Sequence, residues 1–233
     1  MIPIRDKNPS STFPYVTIGI MTVNVFMFFI ELSLGPGLDS FIMQYGLVPL
    51  KLQYYSQSPD LTFIETFLPF LTSMFLHGGF IHLIGNMWYL WIFGDNIEDK
   101  LGHFKYLGFY VICGITASCV HVFFNSQSKV PCIGASGAIA GVLGAYMITF
   151  PRARVVTIIP LMFIWPIIEL PAMVVLGFWF VIQFFNGAAS ISASASSGGV
   201  AWWAHIGGFV SGILMFYIFR KIFGGTHRRY RYH

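Results

Sequence analysis

A chain of 233 residues that is 56% hydrophobic, 18% aromatic and only 9% charged, with a mean hydropathy of +0.71, lacks the roughly 25% charge with which globular domains cover their surface. A water-soluble fold is excluded, and the composition is that of an integral membrane protein. The net charge of +4 calls for no nucleic-acid partner, because the basic tail RRYRYH suits an anionic lipid surface.

A helix needs about 20 mostly apolar residues to cross a bilayer, so the gaps between charges mark the spans. Residues 1–13 read as a short N-terminal segment, followed by a first span at about 14–34. Residues 35–78 mix aromatics, prolines and polar groups. They are too hydrophobic for a solvated linker and are expected to form partly embedded short helices and turns. The second, third and fourth spans are expected at 79–95, 105–125 and 134–150. Residues 155–168 are apolar but short and interrupted by Pro160 and Pro166, which reads as an interfacial connector rather than a crossing. A fifth span at 170–187 leads into a small, Gly/Ser-rich loop at 188–200, expected to be mobile and able to serve as a lid. The sixth span covers 201–220, closing a membrane domain at 14–223 ahead of a basic tail at 224–233. The expected fold is therefore an all-α bundle of six transmembrane helices.

With both termini in the cytoplasm, only Lys51 and Lys129 of the 13 Lys and Arg fall on the far side, which satisfies the positive-inside rule. No cleavable signal is evident, since Arg5 and Lys7 precede a long apolar stretch with no A-x-A site behind it. The absence of organelle-targeting features and the small loops give the expectation of a multi-pass protein of the bacterial plasma membrane. Cys113, Cys119 and Cys132 have no metal-type spacing, and two fall within one span, so neither a metal site nor a disulfide framework is expected.

The second, fourth and sixth spans run in the same direction, and each carries an unusual polar group near its outer, N-terminal end. The second has His82 and Asn86 in HLIGN, four residues apart on one helix face. The fourth begins at GASG with Ser136, and the sixth has His205 in AWWAHIGGFVSG. Equal distance from the same helix end means equal depth in the membrane, by the ~1.5 Å rise per residue. Gly137, Gly141 and Ala145 make one small-residue series, and Ala204, Gly208 and Gly212 another. Such series let membrane helices approach until their backbones touch, which would bring Ser136 within hydrogen-bond reach of His205.

A serine whose proton an imidazole can take is an activated nucleophile. Amide hydrolysis also needs donors aimed at the tetrahedral oxyanion. His82 and Asn86 are neutral donors on a facing helix, and the backbone N–H groups of Ser136 and Gly137 lie at a helix N-terminus, where the dipole favours negative charge. No Asp or Glu lies near enough in this arrangement to orient His205, so a Ser–His dyad is expected, without an acidic third member. His77 reads as an interfacial or loop-packing residue, and Glu98 and Arg152 as solvated or structural.

The ordered motifs HGGFIHLIGNMWYLWIFGDNIEDKLG, GASGAIAG and AHIGGFVSG resemble those of the rhomboid intramembrane serine proteases, over about Pro14 to Phe223. The resemblance implies Ser136 as nucleophile, His205 as general base, and His82 and Asn86 as oxyanion donors. It also implies a six-helix bundle with a water-filled cavity, no cofactor, and single-span membrane proteins as substrates. The aromatic residue that some bacterial members carry four positions after the serine is Ala140 here, so His205 is expected to be held by another ring, Trp202 or Trp203, or more loosely. The Trp-Arg pair that some members have in the first outer loop is absent from 35–78. Two other classes of function are weighed. A catalytically inactive, client-binding relative typically lacks the serine or the histidine, and this chain has both. A channel or transporter predicts inverted repeats and charges within broken helices, for which Glu169 is the only candidate among the last apolar residues.

Overall fold

The computed structural model describes residues 1–55, 61–192 and 200–223. Six long elements form the bundle: α1 (Tyr15–Ser33), α6 (Phe80–Leu101), α7 (His103–Phe124), α8 (Ser136–Thr149), α9 (Ala172–Ser192) and α10 (Trp202–Phe223). Each falls on an expected span. Four have the length and composition to cross a membrane unaided. By contrast α8 has 14 residues and is about 21 Å long, too short for a ~30 Å hydrocarbon core. Its start is thereby held below the outer surface, in the interior of the bundle. All of its residues from Gly137 to Tyr146 are buried.

The small residues do what their spacing suggests. A β-carbon on Gly208 would lie 2.0 Å from the carbonyl oxygen of Gly137, and one on Gly212 would lie 2.0 Å from that of Gly141. The backbones of α8 and α10 are in contact, and no other residue fits at these crossings. Fully buried Phe93, Tyr106, Phe109, Tyr110 and Tyr146 fill the core beneath, while Phe26, Phe29, Trp91, Phe104 and Phe185 face outward, as a lipid-facing surface requires.

Between α1 and α6 the chain folds into short helices: α2 (Leu38–Tyr45), α3 (Pro49–Tyr54), α4 (Phe63–Phe67) and α5 (Pro69–Thr72). The last of these pieces, ending at Phe75, meets α6 at an angle of 75°. Gly79, with φ +154°, makes that turn.

The helical bundle carries one addition that was not expected. The connector at 155–168 overlaps β2 (Arg154–Ile158) and the start of β3 (Ile167–Pro171), which takes in the first residues of the expected fifth span, and β1 (Ile2–Asp6) from the N-terminal segment pairs antiparallel with β2 to give the order β1-β2-β3. The sheet bridges α6 and α9, and the Trp88 indole donates to the Pro3 carbonyl at 2.7 Å. Met162 and Phe163 at its hairpin tip are almost fully exposed, so the tip keeps the apolar, interfacial character expected of the segment. Glu169 lies in β3 and pairs with Lys7. It is not a charge within a span, which removes the one feature that suited a transporter.

The second expected span ends at residue 95, but α6 continues to Leu101 through Glu98, which is completely buried. The carboxylate accepts from the Val16 and Thr17 backbone N–H groups at 2.9 and 2.8 Å, from the Thr17 hydroxyl at 2.7 Å, and faces His103 Nδ1 at 2.6 Å. It thus satisfies the orphan donors at the start of α1, whose own N-cap, Pro14, supplies no side-chain bond. Glu98→Ala is expected to lower stability by on the order of 3 kcal/mol, because several buried donors lose their acceptor together. Glu98→Gln, which keeps one acceptor oxygen, should lose less. Thermal unfolding in detergent measures both.

The expected mobile loop at 188–200 is shortened by α9, which runs on to Ser192. Residues 193–199, and the basic tail at 224–233, lie outside the described residues.

Candidate active site

The α8–α10 crossing sets the site. Ser136 is the first residue of α8, and His205 lies in the first turn of α10. With the two backbones in contact, His205 Nε2 lies 2.8 Å from Ser136 Oγ. His205 is 8% exposed, whereas Ser136 is half-buried and borders a cavity of about 10 Å³ lined also by Ser73, Ser118, Gly134 and Gly137. That volume is enough for about one water.

The second imidazole nitrogen is also held. Gln183 of α9 places its Oε1 2.7 Å from His205 Nδ1, and both side chains are buried. Two rings flank the imidazole: Trp179 at 5.7 Å and tilted by 35°, and Trp202 at 6.3 Å and edge-on. Of the two rings expected to hold His205, Trp202 is therefore in place. Trp203 instead stacks on Phe124 with centroids 3.6 Å apart. Trp179 and Gln183 were not singled out in the sequence. Their signal is an amide in an apolar span, one turn from a tryptophan on the same face.

Against the chain that leads into α8, two residues before Ser136, lie His82 and Asn86. The meeting point is Gly134, with φ +122°. A β-carbon there would lie 2.5 Å from His82 Nε2 and 3.5 Å from Asn86 Nδ2. Only glycine has both the backbone freedom and the clearance. Gly134 is fixed in turn by its N–H, which donates to the Ser73 carbonyl at 2.8 Å. His82 Nδ1 accepts a long bond, 3.4 Å, from the Gly78 N–H. Its proton then sits on Nε2, the nitrogen turned toward Gly134.

His77 is more than the loop-packing residue expected. It is 3% exposed, its Nε2 lies 2.9 Å from Asn86 Nδ2, and its ring meets that of His82 edge-on at 5.1 Å. Its backbone N–H donates to both carboxylate oxygens of Glu31, at 3.1 and 3.2 Å, a buried residue at the end of α1. One amide hydrogen of Asn86 is thus committed to His77, and the same nitrogen lies 3.5 Å from where a β-carbon on Gly134 would sit. Glu31 was likewise not singled out, since a glutamate near the end of a hydrophobic span reads as an interfacial charge.

The five groups brought together are therefore Ser136, His205, His82, Asn86 and the α8 N-terminus with Gly137. The arrangement sets a hydroxyl beside an imidazole nitrogen, with His82 and Asn86 approaching from a separate helix.

A family model described as the Rhomboid domain matches residues 65–222. Among curated proteins the chain is similar to Rhomboid protein 1, mitochondrial, of Saccharomyces cerevisiae, with 29% identity over 72% of this chain and 46% of that one. It is similar to RHOMBOID-like protein 6, mitochondrial, of Arabidopsis thaliana, with 30% identity over 64% and 42%. Presenilin-associated rhomboid-like protein, mitochondrial, of Bos taurus is 28% identical over 84% of this chain and 46% of that one. The chain spans less than half the length of these relatives. Their names overturn the expectation of a bacterial plasma membrane with cytoplasmic termini. That expectation rested on small loops and the absence of organelle-targeting features, and neither specifies which membrane holds the protein.

Proposed function

The chain belongs to the rhomboid family, whose members act on membrane-protein substrates within the bilayer, and on that premise we propose that it is a serine endopeptidase cutting in or near the transmembrane segments of single-span proteins. The observation that carries this reading is the 2.8 Å approach of His205 Nε2 to Ser136 Oγ at a helix N-terminus faced by independent donors.

In the proposed reaction Ser136 Oγ attacks the scissile carbonyl carbon while its proton passes to His205 Nε2. The carbonyl π electrons move onto oxygen. That oxyanion is met by the Ser136 and Gly137 N–H groups, the free amide hydrogen of Asn86 and the His82 Nε2–H. The C–N bond then breaks as His205 returns the proton to the leaving amine. Water, activated by the same imidazole, releases the acyl group from Ser136, and the small cavity beside Ser136 offers room for it. The mitochondrial names of the relatives support a mitochondrial membrane as the location.

The test is to incubate the detergent-solubilised protein with a tagged single-span helix. Two fragments are expected, and faster scission where Gly or Pro lies near the cut, because the attacked carbonyl must first leave its intrahelical hydrogen bond. An Ala/Leu-rich helix cut equally fast would contradict that requirement. The chemistry uses side chains and backbone donors alone, so EDTA should leave the rate unchanged.

A further inference from the structure

The hydroxyl and the imidazole do not by themselves make a base. A neutral imidazole carries one proton on one of two nitrogens. With the proton on Nε2, His205 could only donate to Ser136 and could not accept from it. Within the bundle nothing in the Ser136–His205 contact selects the productive form, because a hydroxyl is both donor and acceptor.

The opposite side of the ring makes the selection. Gln183 Oε1, 2.7 Å from Nδ1, is an acceptor only, so the hydrogen bond requires the proton on Nδ1 and leaves the Nε2 lone pair turned toward Ser136 Oγ at 2.8 Å. The two bonds, from α9 on one side and α8 on the other, pin the ring at both nitrogens, while Trp179 and Trp202 restrict its tilt. An amide suits the position better than a carboxylate. Gln183 is 6% exposed within a span, where an ionised group is costly, whereas a carbonyl dipole orients the ring without carrying a charge.

Resting on the protease reading above, we infer that Gln183 is a positioning residue that holds His205 in the Nδ1–H tautomer. It acts through His205, has no contact with substrate, and turns the expected dyad into a three-membered chain with a neutral third group.

The experiment compares three variants of the full chain in detergent. Gln183→Met keeps the volume and removes the acceptor. Gln183→Asn keeps the amide but is one methylene too short to reach. Gln183→Glu keeps an acceptor oxygen at full reach. The first two should lose ~10–10²-fold in kcat, part of what a general base contributes, with KM unchanged. Labelling of Ser136 by a fluorophosphonate should slow to match. Gln183→Glu should retain most of the activity, because a carboxyl oxygen accepts from Nδ1–H in either protonation state. If Gln183→Met fails to fold, Gln183→Asn against Gln183→Glu carries the comparison. The inference is overturned if Gln183→Met or Gln183→Asn keeps wild-type kcat, or if Gln183→Glu is as slow as they are. Wild-type protein that cuts and labels normally beside unaffected Gln183 variants would refute only this role. Absence of cleavage by the wild type, or cleavage that survives loss of Ser136, would refute the protease reading itself.

Discussion

Ser136→Ala is expected to abolish cleavage while leaving the protein folded. Where a serine nucleophile is deleted from an assembled site, the loss in kcat is on the order of 10⁴–10⁶-fold. Among the described residues, the Ser136 hydroxyl is the one that His205 bonds in this arrangement. Alanine fits because Ser136 is half-buried at the start of α8 and its side chain makes its bond to His205, not to the packed core. His205→Ala should cost a comparable amount. The double variant should be no slower than either single one, since the two groups act as a unit. Cleavage rates beside thermal unfolding midpoints measure all three. Independent, additive losses would mean that the serine and the histidine serve separate purposes.

Asn86→Ala is expected to show the next largest effect, and the packing and catalytic roles of Asn86 make opposite predictions for it. A side-chain hydrogen bond between membrane helices averages only about 0.6 kcal/mol, and here the partner, His77, lies in the turn just ahead of α6. If that bond were the purpose of the residue, the variant would melt earlier and turn over normally. If its second amide hydrogen meets the oxyanion, the loss appears in kcat, because that bond strengthens only as charge develops on the carbonyl oxygen. Removal of one such donor costs ~10²–10³ in kcat. His82→Ala should lose less, since the Ser136 N–H and Asn86 remain. A clear fall in melting temperature with normal kcat for Asn86→Ala would reduce the residue to a helix contact.

The sequence made the core of the site legible because its determinants are periodic. Gly208 and Gly212 repeat every four residues, as do Gly137 and Gly141, and such spacing places two backbones in contact whatever surrounds them. From that contact the Ser136–His205 pairing follows. The spacing of Trp179 and Gln183 puts them on one face of α9, but what Gln183 does there depends on how α9 lies against α10. His77 was underestimated for a related reason: its partner Asn86 lies nine residues on, across the bend at Gly79 that sequence spacing does not reveal. The sheet was invisible for a different cause. RVVTI and IIELP are as apolar as helix segments, and β2 gains its edge partner from Ile2–Asp6 about 150 residues earlier in the chain. The extension of α6 through Glu98 also depends on a distant group, the uncapped start of α1. Local pattern therefore predicted the helices and their close approaches. The long-range polar pairings that complete the ends of the helices and orient His205 had to come from the structure.

The central claim is that His205 activates Ser136, and covalent labelling tests it without any need for a substrate. A fluorophosphonate captures only a serine whose proton is being removed, and mass spectrometry locates the adduct. A single adduct on Ser136 is expected in the wild type, and loss of labelling in His205→Ala protein that remains folded. Labelling of Ser136 at the same rate in both, or an adduct on another serine, would contradict it.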